Sequence, residues 1–146
     1  MVGGIFRGRS QAAYRRSCAS SEEEGAALFN VATGEARLVY RRGRLYWARL
    51  DKRRPVLVVS LDARNERAND LMVVPCSTSI REAPTHVRLR QGEAGVLHEC
   101  MLKCEQLTTL SKDDIDPTPV GGALAATRMA EVERAILRAI GIPVSG

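Results

Sequence analysis

The run Val56-Leu57-Val58-Val59, opened by Pro55 and closed by Ser60, is the most constraining feature of this chain. It is uninterrupted, apolar and short, which fits a strand buried on both faces. Proline is expected at its first position, where a missing N–H costs least. Around it the same grammar repeats. Arg44 to Leu50 alternates, with Leu45 and Trp47 on one face and Tyr46 and Ala48 on the other, which predicts a first strand. Leu71 to Ser77 predicts a third, with Pro75 implying an edge or a bulge. Thr85 to Arg90 points Val87 and Leu89 inward, and Gly95 to Leu107 supplies a further strand or pair of strands.

The connections are polar. Asp51 to Arg54 reads as a very short turn, Asp62 to Asp70 as an exposed loop, and Thr78 to Pro84 as a basic-polar loop. Ser111, followed by Lys112, Asp113 and Asp114, marks a capped helical turn, ended by Pro117 and Pro119. Met129, Val132, Ala135, Ile136, Ala139 and Ile140 recur at helical spacing, leaving Arg128, Glu131, Arg134 and Arg138 outside. Gly141 and Pro143 then stop the helix. The fold expected is mainly β with α: a small barrel carrying one C-terminal helix. Residues 1–40 lack strong periodicity and read as a flexible N-terminal extension, in which Ala36 to Val39 has strand character, ahead of a domain at 41–146.

With 146 residues and 45% hydrophobic content, there is room for one modest core. No apolar run approaches the roughly 20 residues a membrane-spanning helix needs. No positive-then-apolar leader opens the chain, so a cytoplasmic location without membrane contact is expected. Lys and Arg outnumber Asp and Glu by 22 to 17, with Arg favoured over Lys. That bias suits bidentate contacts to phosphate, although Arg-rich usage in a GC-rich genome would give it too. Cys18, Cys76, Cys100 and Cys104 are too few and too irregular for a disulfide framework, and reduced thiols are expected. Neither a second cysteine pair nor a histidine pair accompanies Cys100 and Cys104, so no metal site is assigned, and no cofactor.

Taken in order, Arg42-Gly43-Arg44-Leu45-Tyr46-Trp47, Arg54-Pro55-Val56-Leu57-Val58-Val59-Ser60 and Val73-Val74-Pro75-Cys76-Ser77-Thr78 resemble the MazF/PemK family of toxin endoribonucleases. Pro84-Thr85-His86-Val87-Arg88-Leu89, Cys104-Glu105-Gln106-Leu107-Thr108-Thr109-Leu110 and Met129-Ala130-Glu131-Val132 continue the resemblance, which runs from about Arg41 to Ile142. It implies an SH3-like β-barrel and a homodimer. It implies metal-independent, sequence-specific cleavage of single-stranded RNA by attack of a 2′-hydroxyl. It also implies neutralisation by an acidic antitoxin on the same basic surface.

Two catalytic positions carry over from that resemblance. Arg54 matches the family's arginine before the strand, where a fixed guanidinium would stabilise charge growing on the phosphate. Ser77 stands in register with the family's catalytic threonine. It keeps the hydroxyl but lacks the methyl that restrains its rotamer. Thr78, next door, faces the other way unless Pro75 turns the register. Lys52, Arg53, Thr85, His86 and Gln106 are candidates for catalysis or RNA binding. Glu105 is a candidate for orienting RNA or neighbouring side chains, and His98 is expected as a structural strand residue. The loop that many members carry between the first two strands is replaced here by Asp51, Lys52 and Arg53 alone. Tyr46 and Trp47 are the aromatic residues to check for base stacking, with Trp47 expected in the core. The competing reading is a protein without nuclease activity, either a gyrase inhibitor of the related CcdB branch or an RNA-binding barrel with a decayed site.

Overall fold

The computed structural model describes residues 39–145 and, ahead of them, the backbone of a short antiparallel pair, β1 (Phe29–Asn30) and β2 (Glu35–Ala36). Most of the extension expected over residues 1–40 lies outside the described residues. Tyr40, at its end, is buried and donates its hydroxyl to the Ile115 carbonyl at 2.8 Å.

Seven strands form the body: β3 (Leu45–Arg49), β4 (Arg53–Val58), β5 (Asp70–Ser77), β6 (His86–Leu89), β7 (Cys100–Lys103), β8 (Thr108–Ser111) and β9 (Ile115–Pro119). All described pairings are antiparallel, in the order β6-β7-β5-β4-β3-β9, with β8 also on β5. Among the described residues two α-helices join them, α1 (Asp62–Arg67) and α2 (Ala126–Ala139).

Alternate residues of the central strands feed two cores, as expected for strands covered on both sides. Leu45, Leu57, Val74 and Leu102 pack under α2, which contributes Met129, Val132 and Ala135. Tyr46, Val56, Val58, Val73 and Leu71 turn to the opposite side, against Ile115. Burying side chains such as Met129 and Val132 contributes about 1.5–3 kcal/mol each, which is what holds α2 on the barrel. The helix ends as its sequence indicates. Gly141 takes φ 86° and the Ile142 N–H returns to the Leu137 carbonyl at 2.8 Å. Ile140, expected on the apolar stripe, falls beyond the last turn and is exposed.

Pro55 and Pro75 lie where the ladder asks nothing of them. Pro55 is the third residue of β4 rather than its first, but the β4–β5 ladder begins only at Val56 opposite Pro75, so the side facing β5 is unladdered there. Pro75 occupies the gap at which β5 changes partner on its other side. Val73 is the last residue paired to β8, opposite Thr108, and Cys76 the first paired to β7, opposite Leu102. The strand is central, and its proline marks a seam instead of an edge.

Four expectations are corrected. Asp62 to Asp70 holds helix α1, buried at Asn65, whose amide donates to the Ser60 carbonyl at 2.9 Å. Its polar sequence carries no apolar stripe because hydrogen bonds, not hydrophobic packing, tie it down. Ser111 does cap a turn, accepting from the Asp113 N–H at 3.2 Å, but Pro117 and Pro119 then belong to edge strand β9, where prolines are tolerated. His98 sits in an exposed bend before β7, not on a strand. Trp47 is 36% exposed rather than core. The register of β9 on β3 slips between Tyr46 opposite Pro119 and Ala48 opposite Ile115, and the bulge leaves Trp47 without full cover.

Candidate active site

The register of β4 on β5 runs Val58 to Val73, Leu57 to Val74 and Val56 to Pro75. Continued past Pro55 and Cys76, it brings Arg54 and Ser77 to the same end of two neighbouring strands. Arg54 is held there with its side chain only 17% exposed, and its Nη2 donates to Asp51 Oδ2 at 2.9 Å. Its Nε is buried with no hydrogen-bond partner. A buried donor without an acceptor costs about 1–3 kcal/mol, a cost that an oxyanion bound within its reach would relieve.

Ser77 ends β5 and is half-buried. Its Oγ accepts the Ser79 N–H at 3.1 Å, which leaves the hydroxyl hydrogen free to donate elsewhere. Thr78 is exposed in the bend beyond the strand, while Lys52 and Arg53 are exposed at the tip of the β3–β4 hairpin. That tip is as short as its sequence indicates, closed by the Leu50 N–H on the Lys52 carbonyl at 3.1 Å.

The remaining candidates gather in a second cluster. The row through Ser77 passes Met101 of β7 and Arg88 of β6, whereas His86 lies off that row, opposite Lys103. Its Nε2 is 2.9 Å from Glu105 Oε2 and its Nδ1 is 2.6 Å from the Arg81 carbonyl, with the side chain 6% exposed. Two acceptors on two ring nitrogens call for two donors, which only the imidazolium supplies. The bond to the Arg81 carbonyl, with Glu105 as further support against burial, raises the His86 pKa. Burial, the largest single influence, would raise that of Glu105, but the bond and charge of His86, a backbone N–H and the Thr85 hydroxyl together outweigh it and the value is lowered. Thr85 Oγ1 donates to the other carboxylate oxygen at 3.1 Å. Thr85 and His86 are therefore committed to Glu105, and Gln106 beside it is exposed. The sequence holds the signal for this hub only as the adjacency of Glu105 and Gln106 in a family-like segment. Which of the two reaches His86 and Thr85 is set by the tight turn at Cys104–Gln106.

Behind Ser77 lie three free, buried thiols, Cys76, Cys100 and Cys104. The hydrogen bond with Cys100, together with burial, pushes the Cys76 thiol well above its ordinary value, and burial pushes Cys104 up to about 12. Neither is a thiolate near neutral pH, so neither is an activated nucleophile. Among the described residues no group of three His, Cys, Asp or Glu side chains is arranged to hold a metal ion.

Residues 41–140 match the family model described as PemK-like, MazF-like toxin of type II toxin-antitoxin system. The chain belongs to this toxin family. Its relatives include the probable endoribonuclease MazF5 of Mycobacterium tuberculosis, 31% identical over 72 residues that span 48% of this chain and 66% of that protein. An endoribonuclease in complex with its cognate antitoxin, from a mycobacterial species, is 26% identical, with a TM-score of 0.63 over 73% of this chain and 99% of that one. The MazF of Deinococcus radiodurans is 21% identical, with a TM-score of 0.63 over 73% of this chain and all of its own, and shows the shared barrel-and-helix fold.

Proposed function

We propose that this MazF/PemK-family protein is an endoribonuclease toxin that cuts single-stranded RNA in the cytoplasm, with Arg54 and Ser77 as its catalytic pair. The observation that carries the assignment is the Arg54 guanidinium, nearly enclosed at a strand end with one N–H buried and unsatisfied. In the reaction the 2′-oxygen bonds to phosphorus as its proton leaves, and the bond to the 5′-oxygen breaks as that oxygen gains one. The products are a 2′,3′-cyclic phosphate and a 5′-hydroxyl. Negative charge grows on the non-bridging oxygens in the transition state, where a fixed guanidinium stabilises it more than in the ground state. The Ser77 hydroxyl, already accepting from the Ser79 N–H, donates to the same phosphate and orients it.

Lys52 and Arg53 at the hairpin tip extend the cationic surface along which an RNA backbone would run. An acidic antitoxin segment suits the same surface, and one mycobacterial relative is known in complex with its cognate antitoxin. A homodimer accords with the family. The relatives carry endoribonuclease names, which favours this reading over that of a gyrase inhibitor. Purified protein incubated with single-stranded RNA in excess EDTA should yield 5′-hydroxyl ends. Arg54→Ala and Ser77→Ala should stay folded and lose cutting, and undiminished cutting by both would remove the pair from the chemistry.

A further inference from the structure

Trp47 is the chain's sole tryptophan, in a protein with only 4% aromatic residues, and it stands 36% exposed at the hairpin that ends in Lys52 and Arg53. Burial alternation alone would have put it inward with Leu45. The slip of β9 against β3 falls at this residue, and bulges of this kind re-aim side chains, often beside functional sites. The ring is also held. Arg53 places its guanidinium carbon 5.0 Å from the ring centroid, and the same guanidinium reaches Asp116 Oδ2 of β9 at 3.8 Å. An exposed indole fixed by a cation on one face and by its own strand forms a rigid flat surface with little entropy left to lose on binding.

We propose that Trp47, backed by Arg53, is a stacking platform for one unpaired nucleobase of the RNA whose phosphate is held at Arg54. Trp47 is cross-strand partner to Pro55, the residue after Arg54, and neighbouring strand residues face opposite sides. A strand of RNA crossing the open end of the hairpin therefore meets Arg54 on one side and Trp47 on the other. Lys52, exposed at the tip, lies between them to neutralise the intervening phosphate. Stacking tolerates any base but demands that the base be unpaired, so this platform selects single strands over duplexes.

The inference rests on the nuclease reading, and the test separates the two. A short, random-sequence single-stranded DNA carrying a fluorescein label lacks the 2′-hydroxyl and is not cut. Its binding to the full chain is followed by anisotropy, and stacking by the fluorescence of Trp47, which no other tryptophan obscures. Binding accompanied by quenching is expected, with no quenching by an abasic strand of equal length. Trp47→Leu should weaken binding about tenfold or more, and Trp47→Phe should restore most of it. Binding that leaves Trp47 fluorescence unchanged would overturn the platform while leaving the nuclease intact. So would fluorescence that follows protein concentration instead of added strand, since a second copy would then cover the indole. Failure to bind any single strand, together with failure to cut RNA, would remove the nuclease reading itself.

Discussion

Nε2 of His86 lies 2.9 Å from Oε2 of Glu105, across the short space between β6 and the turn that follows β7. The opposite ring nitrogen fastens the Arg81 carbonyl, so one imidazolium closes the loop that runs from Ser77 to β6. Lys103 on β7 and the arginines of α2 that line the same cleft, Arg128, Arg134 and Arg138, oppose that charge, while Glu131 and Glu105 favour it.

This clasp sets a pH window. The folded pKa of His86 is raised above its ordinary 6.5, so its stabilisation is complete below that value and lost as pH rises through the folded one. Glu105 works in the other direction. Its value is lowered from 4.5, so its contribution is present above that pH and lost as acid titrates the folded carboxylate. Urea denaturation midpoints should therefore fall on the alkaline side of about pH 6.5. His86→Gln should flatten that limb, and an unchanged profile would show that the ring is not charged in the native state.

At the strand ends, Ser77→Thr should keep or raise cleavage, because it retains the hydroxyl and adds the methyl that narrows its rotamers. Arg54→Lys should not rescue Arg54→Ala. An ammonium replaces the planar fork by a point charge, and losing a preorganised donor costs about a hundredfold or more in rate. Single-turnover cleavage of one RNA by the four proteins, with circular dichroism as the folding control, decides both points.

Gly95 and Gly121 meet backbone to backbone. A Cβ on Gly95 would stand 2.6 Å from the Gly121 Cα, and one on Gly121 2.5 Å from the Gly95 Cα. Backbone cannot swing aside as a side chain can, so Gly121→Ala should lower unfolding free energy by about 1–3 kcal/mol. Gly95→Ala should cost more, since φ of 89° adds strain. Chemical denaturation checks both, and Gly122→Ala, with open space around it, serves as the neutral control.

Affinity for single strands should fall steeply with salt. Removing one phosphate contact by Lys52→Ala should reduce the log–log slope by about 0.7 without changing which sequences are preferred. Binding isotherms over a salt series measure it, and a slope equal to that of the unsubstituted chain would place Lys52 off the path of the backbone.

The apolar strands around Leu45, Val56, Val73 and Val87, and the stripe Met129, Val132 and Ala135, were legible because hydrophobic burial writes a period into sequence. Elements held by other means were not. Helix α1 depends on the amide of Asn65, and β9 presents two prolines that only its edge position permits. Arg54 and Ser77 were reached only through the family resemblance, which places them before one apolar strand and at the end of another. The exposure of Trp47 was not, because it follows from a register slip between strands far apart in the chain. Nor was the commitment of His86 to Glu105, which depends on how the Cys104–Gln106 turn folds back beneath β6.

The brevity of the β3–β4 hairpin leaves it nothing to fold over a bound strand. An enzyme with a lid can be paused while substrate is aboard. This hairpin offers no such latch, and on the nuclease reading a competitor seated on the cationic surface would supply the restraint. Activity would then follow the molar ratio of inhibitor to enzyme, and the abundance of that inhibitor would be the timer.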